Sequence, residues 1–349
     1  MTAISMFITP TSEELNDPQM VYICSELSKL AKSPSMKFFC AIKTVLCMIG
    51  PFTVLWHFMN TKHRLQIHQN AKLIYEFHLI LSILASVSYG IQYAVDTYRF
   101  SFSTGYCDGL LNTSFSFPLL LFAVAMDWGQ GCLFLALAVE RIIASIYHRT
   151  YERNRSRRLA YVLILLCMLF TILSSLAVAA PGVAWWKPTM AFSIVHKNND
   201  RVVMITDSIH TVVEILAIAI FHVVLLINKR HFHKRYKYSL GSNYQMTENR
   251  RVTIVMLPIF YVHFIIFVLT NFSVVVFLHM FTYESPSNFA IFAEHVIWTP
   301  VYSVIAPLIL PIVDRYRKKI LTREREVHAK NVFIPMDVLF NRTTRKDSK

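Results

Sequence analysis

Seven long apolar runs decide what this chain can become. They lie near residues 38–59, 72–94, 116–147, 159–181, 205–228, 252–281 and 289–312. Each is long enough for the roughly 20 helical residues that cross a bilayer core. A lipid-embedded backbone must satisfy its own polar groups, so each run is read as a helix. The expected fold is an all-α membrane protein, a seven-transmembrane helix bundle over 38–312. An N-terminal segment, 1–37, precedes it. A basic tail, 313–349, follows, and its stretch 314–328 is expected to lie as an amphipathic helix on the membrane surface.

The basic residues orient the bundle. The connections 60–72, 148–158, 229–251 and 313–349 hold 26 Lys and Arg, against 7 in 1–37, 95–115, 182–204 and 282–288. Lys and Arg collect in cytoplasmic loops. The N-terminus is therefore expected outside and the C-terminus inside, with the first span acting as an uncleaved anchor. This bias also accounts for the net charge of +14. The bases are divided among loops on one membrane face, so anionic lipid rather than nucleic acid is their expected neighbour.

Six cysteines are present. Cys40, Cys47, Cys132 and Cys167 fall in spans, where they read as small hydrophobes. Cys24 and Cys107 fall on the expected outer, oxidising face, where a disulfide between them is expected. Of the Asn-x-Ser/Thr sequons, only Asn112 lies in an expected outer loop. Asn271 is inside a span and Asn341 is in the cytoplasmic tail. Asn112 is the expected glycosylation site.

Ionisable groups inside spans are costly and mark candidate function. Asp127, Glu214 and His263 fall at similar depth in spans three, five and six. Glu294 and His295 lie nearer the outer mouth. Trp128, Phe260 and Trp298 supply aromatic walls. Together these eight residues are the expected site for a small-molecule or peptide-like ligand. The plain alternative is that the acids only hold helices together. Glu140-Arg141, at the inner end of span three, reads as a switch rather than simple snorkelling of Arg to the interface. No nucleophile elbow, zinc-protease motif or P-loop occurs. Cys/His metal spacing is absent, and span seven has no lysine for a retinal Schiff base. Neither enzyme activity nor a metal or cofactor is expected.

Four stretches carry a resemblance. They are His68-Gln69-Asn70-Ala71-Lys72 with Asp96, then Cys107-Asp108, then Val139-Glu140-Arg141-Ile142-Ile143-Ala144 with Tyr151-Glu152, and Tyr244-Gln245 with Glu248-Asn249. At these residues the chain resembles the nematode serpentine chemoreceptors of the Sra superfamily, most closely the Srab and Sra classes. The resemblance implies a chemosensory G-protein-coupled receptor in the plasma membrane of sensory neurons or their cilia, with a heterotrimeric G protein as cytoplasmic partner. It places Glu140, Arg141, Tyr244, Gln245, Glu248 and Asn249 at the G-protein switch. Ile142 stands where rhodopsin-like receptors have tyrosine after the arginine. Span seven lacks Asn-Pro-x-x-Tyr and offers Pro307, Pro311 and Tyr316. A transporter or a ligand-gated channel built on seven spans is the rival reading. Either would need a continuous polar path or pore.

Overall fold

An aspartate and a proline start the first helix. In the computed structural model, α1 (Pro18–Lys32) has Pro18 at its first position, and the Asp17 carboxylate accepts from Gln19 N at 2.9 Å. The arrangement supplies an acceptor where helical donors are orphaned and omits one donor. The helix ends at Ser33, and Pro34 opens α2 (Pro34–Thr61). The structure describes residues 6–8, 10–11, 16–61, 68–102, 107–147, 151, 156–181, 183, 185, 187–193, 199–232, 240–280, 286–309, 311–313 and 315. The expected tail helix over 314–328 lies outside them, except for Arg315.

The remaining helices are α3 (Gln69–Phe102), α4 (Thr113–Ile146), α5 (Arg158–Ala179), α6 (Asp200–Phe232), α7 (Leu240–Met280) and α8 (Pro286–Val296). A helical stretch at 299–309 continues beyond α8. Among the described residues, seven helical segments are long and apolar enough to cross a membrane, the last running over Ser287–Val313. α4 is the hub and touches α3, α5, α6 and α7. Its buried face runs from Thr113 to Ser145. α5 is peripheral. Leu165, Leu169 and Leu173 are exposed on it, and only Ala160, Ile164, Thr171 and Val178 are buried. Such an apolar outer surface suits acyl chains rather than water.

The N-terminal segment holds more structure than its composition implied. α1 packs on α2, α3 and α8, burying Met20, Cys24, Leu27 and Leu30. β1 (Phe7–Ile8), β2 (Leu110–Asn112) and β3 (Pro188–Thr189) form a small antiparallel sheet in the order β1-β2-β3. Cys24 and Cys107 form a disulfide that ties α1 to the loop before β2. This disulfide end of the bundle is thus covered by α1 and the sheet. Asn112, the expected glycosylation site, is only 9% exposed there. It caps α4, its Oδ1 accepting from Ser114 N at 3.0 Å. A glycan would be carried on Nδ2, the amide atom that the cap does not use.

Two packing details position the interior. A Cβ at Gly50 would lie 2.1 Å from Ser303 Oγ and 2.8 Å from Ser86 Oγ, so α2 approaches its neighbours only because Gly50 has no side chain. Ser86 and Ser303 hydroxyls meet at 2.8 Å beside it. Small residues permit such close approach in bilayers. The second detail is the break after α8. Pro300 has no N–H for the Val296 carbonyl four residues earlier. Thr270 Oγ1 donates to that carbonyl at 3.2 Å instead, and Trp298 Nε1 donates to His295 O at 2.7 Å.

Candidate functional site

Among the described residues, several polar clusters interrupt the apolar interior. The first sits at mid-bundle around α4. Asp127 accepts from Tyr89 Oη of α3 at 2.9 Å and from Gln130 Nε2 at 3.1 Å. One turn on, Gly131 leaves room for Glu214 of α6, whose Oε1 would lie 2.8 Å from a Cβ there. His263 of α7 places Nδ1 2.9 Å from that same Oε1, an ion pair when the ring is protonated. The two atoms are close but off the line of a hydrogen bond. Glu214 Oε1, Oε2 and Gln130 Oε1 accept no hydrogen bond among the described residues. Aromatic rings close over them. Phe134 lies 4.8 Å from His263 and 3.9 Å from Phe260, centroid to centroid. His78 Nε2 meets Tyr302 Oη at 2.6 Å. Buried polar groups normally have partners. These acceptors depart from that rule among the described residues.

The expected ligand set is split by this geometry. Asp127, Glu214, Phe260 and His263 come together around α4. Trp128 turns away from them. Its Nε1 donates to Asp207 Oδ1 at 3.1 Å, and its ring stacks on His210 at 4.9 Å, facing α5 and α6. On an α-helix adjacent residues point about 100° apart, so Asp127 and Trp128 cannot share one wall. His295 is exposed, 4.4 Å from the Phe39 ring, and Trp298 lies edge-on to the same ring at 5.9 Å. Both belong to a seam between α2 and the seventh span.

Glu294 belongs to the second cluster, toward the disulfide end. The ammonium of Lys43, fully buried on α2, donates to Glu294 Oε2 at 2.7 Å and to Glu294 O at 2.6 Å. Tyr93 offers its ring face 5.1 Å from the charge. Beside it Arg99 Nε donates to Asp96 Oδ1 at 2.7 Å. Cys40, Asp96 and Glu294 bring ligand-type atoms within 4.8 Å of one another, a set that sequence spacing did not reveal. Lys43 and Arg99 already serve as its cations. A metal would have to displace them.

The third cluster closes the opposite end. Glu140 and Arg141 are both fully buried. Arg141 Nε and Nη2 donate to the two Glu140 oxygens at 2.5 and 2.6 Å. Arg141 Nη1 reaches across to α7 and donates to Asn249 Oδ1 at 2.9 Å. Tyr151 Oη donates to Glu140 Oε1, and Asn70 Nδ2 of α3 donates to Tyr151 Oη at 2.9 Å. Burial, and then the Glu140 carboxylate, push the Tyr151 phenol above its ordinary pKa, so it stays a donor. Two of the expected switch residues therefore make a chain across the bundle to a third, Asn249. Tyr244, Gln245 and Glu248 lie in α7, and their side chains are outside the described residues.

Sequence reading passed over Lys43, His78, Asp207 and His210. Lys43, His78 and Asp207 were detectable as polar groups inside or beside apolar runs, by the rule that found Asp127. Tyr89 and Tyr302 carried no such signal, since a tyrosine in a span reads as an aromatic.

A family model described as "Serpentine type 7TM GPCR receptor class ab chemoreceptor" matches residues 21–335. The chain is also 26% identical over 210 residues to "Serpentine receptor class alpha/beta-14" of Caenorhabditis elegans, covering 56% of this chain and 52% of that protein. The match thus spans about half the length of the curated relative.

Proposed function

The chain belongs to the serpentine class ab chemoreceptors, seven-transmembrane G-protein-coupled receptors, and on that premise we propose that it senses a small molecule at the mid-bundle cluster and activates a heterotrimeric G protein at the Arg141 end. The bond that carries the reading is Arg141 to Asn249, which joins α4 to α7. The same two helices hold the ligand cluster, through Asp127 and Gln130 on α4 and His263 on α7. From Asn249 to His263 is about 21 Å along a helix at 1.5 Å per residue. Pro258 lies between them and removes one backbone bond, making a natural flexure. A ligand that donates to Glu214 and Gln130 competes with His263 for Glu214 and favours a second arrangement of α6 and α7. Only such differential contact can shift the equilibrium between two states. Release of Asn249 from Arg141 then opens the basic end to the G protein. Coupling of this kind is typically about 1–3 kcal/mol.

In this reading the disulfide end faces outside and the Arg141 end faces the cytoplasm, in the plasma membrane of a sensory cell. The test is a second-messenger assay in cells expressing the receptor, against a panel of small volatile and soluble compounds. An active compound should lose its response in Arg141→Ala at matched surface receptor. Uptake or current without G-protein dependence would overturn the reading.

A further inference from the structure

A recess lies away from the mid-bundle cluster, beside the Arg141 end. It encloses about 670 Å³ and is half-open. Asn70 of α3, Ile143 and Tyr147 of α4, Tyr151, and Ser156 and Arg158 at the start of α5 line it. Its size falls in the range of small-molecule sites.

Three features specify what would fill it. The start of α5 presents positive charge, and no acid among the described residues forms an ion pair with it. Its N-cap is Arg157, which makes no side-chain cap bond, and its first turn has no acid. Arg158 N reaches Ser156 Oγ only at 3.3 Å. A helix N-terminus in this condition attracts an anion, and Arg158 adds a full charge beside it. The second feature is an orphaned acceptor. Asn70 is 2% exposed, and its Oδ1 accepts no hydrogen bond among the described residues. Turning the amide over would not help. Tyr151 Oη spends its proton on Glu140 and so needs the Asn70 donor that it has. Among the described residues no donor meets Oδ1, and a donor carried by an occupant of the recess would satisfy it. The third feature is depth. Arg158 is the first residue of a membrane span, so the recess opens at the edge of the apolar belt.

An occupant must therefore combine an anion, a hydroxyl or amine donor and a place at the membrane interface. We propose that this recess binds the phosphorylated polyol headgroup of a lipid, a phosphoinositide. The phosphate sits over the α5 N-terminus and Arg158, and a ring hydroxyl donates to Asn70 Oδ1. A polyol phosphate fits better than a simple acidic headgroup, because it carries both the anion and the hydroxyl donors. Assignment to the inner leaflet rests on the orientation in the functional reading. The binding chemistry does not. Occupancy would bear on Tyr151, which links Asn70 to Glu140 and Arg141.

The experiment uses the purified full-length receptor in phosphatidylcholine nanodiscs with a fluorescent phosphatidylinositol bisphosphate as probe. Wild type should bind it, with affinity reduced tenfold or more in Arg158→Gln and in Asn70→Leu. Arg201→Gln, a basic change at the disulfide end, should leave affinity unchanged and controls for net charge. Should Asn70→Leu fail to fold, Ser156→Glu places a fixed negative charge in the recess and should weaken the probe equally. Unlabelled phosphatidylinositol bisphosphate should compete, and phosphatidylserine at matched total charge should not. Equal competition by soluble inositol trisphosphate would assign the recess to a free polyol phosphate. Competition by the lipid alone would assign it to the membrane. Probe affinity indifferent to Arg158→Gln and Ser156→Glu, or equal competition by phosphatidylserine, would overturn the proposal. No agonist or G protein enters the assay, so its failure is distinct from failure of the receptor reading.

Discussion

At the scale of single residues, the interior is a set of polar groups whose cost must be met by partners. Arg141 and Glu140 show the consequence. Both are withdrawn from solvent, and leaving one buried charge without its partner costs about 3–5 kcal/mol. Asn249 is the neutral third member, and a hydrogen bond to a charged group contributes about 1.5–3 kcal/mol. Asn249→Ala should therefore release α7 and raise ligand-free signalling severalfold, read as basal second messenger per surface receptor. In the ligand cluster, Glu214→Gln and Asp127→Asn should both shift agonist potency at matched surface expression. Unchanged potency in both would reduce these acids to helix glue. Asp127 was readable from sequence because a carboxylate inside an apolar run is conspicuous. The partner of each acid was not, because Tyr89 lies 38 residues away and His263 lies 49 residues beyond Glu214. Only the folded register brings them together.

Elements reveal a different limit. The seven spans were legible because each is a long apolar run that has no other way to satisfy its backbone in lipid. α1 was not, since it lies among mixed polar residues, although Asp17-Pro18 and Ser33-Pro34 mark both of its ends. The Cys24–Cys107 disulfide holds this helix over the bundle. Cys24→Ser should lower thermal stability in detergent, by about 2–5 kcal/mol for a native bridge. A melting temperature equal to wild type would show that packing alone seats α1. The break in the seventh span offers a finer test. Thr270→Val keeps the shape but removes the donor to the Val296 carbonyl. The loss should be about 1–3 kcal/mol, seen as a lower melting temperature without lost expression.

For the whole molecule, the central claim is that one connected helix pair, α4 and α7, carries a signal from the mid-bundle cluster to the Arg141 end. The spans and the class ab family define the receptor. The wiring between its ends comes from contacts between distant residues, which no local pattern encodes. The ends differ in character. One is sealed by α1, a small sheet and a disulfide. The other is held by a chain of hydrogen bonds from Asn70 through Tyr151, Glu140 and Arg141 to Asn249. A covalent closure suits a fixed cover, whereas a hydrogen-bonded one can open at modest cost. The most direct test is nucleotide exchange on a mixture of purified Gα classes with βγ, catalysed by the purified receptor without ligand. Asn249→Ala breaks the bond but keeps Arg141 for the G protein, so it should raise exchange above wild type. Arg141→Ala breaks the bond and also removes the switch residue itself, so it should bring exchange to the level of G protein alone. Equal exchange from wild type and both variants, in a receptor shown to be folded, would contradict the claim that this contact governs activation.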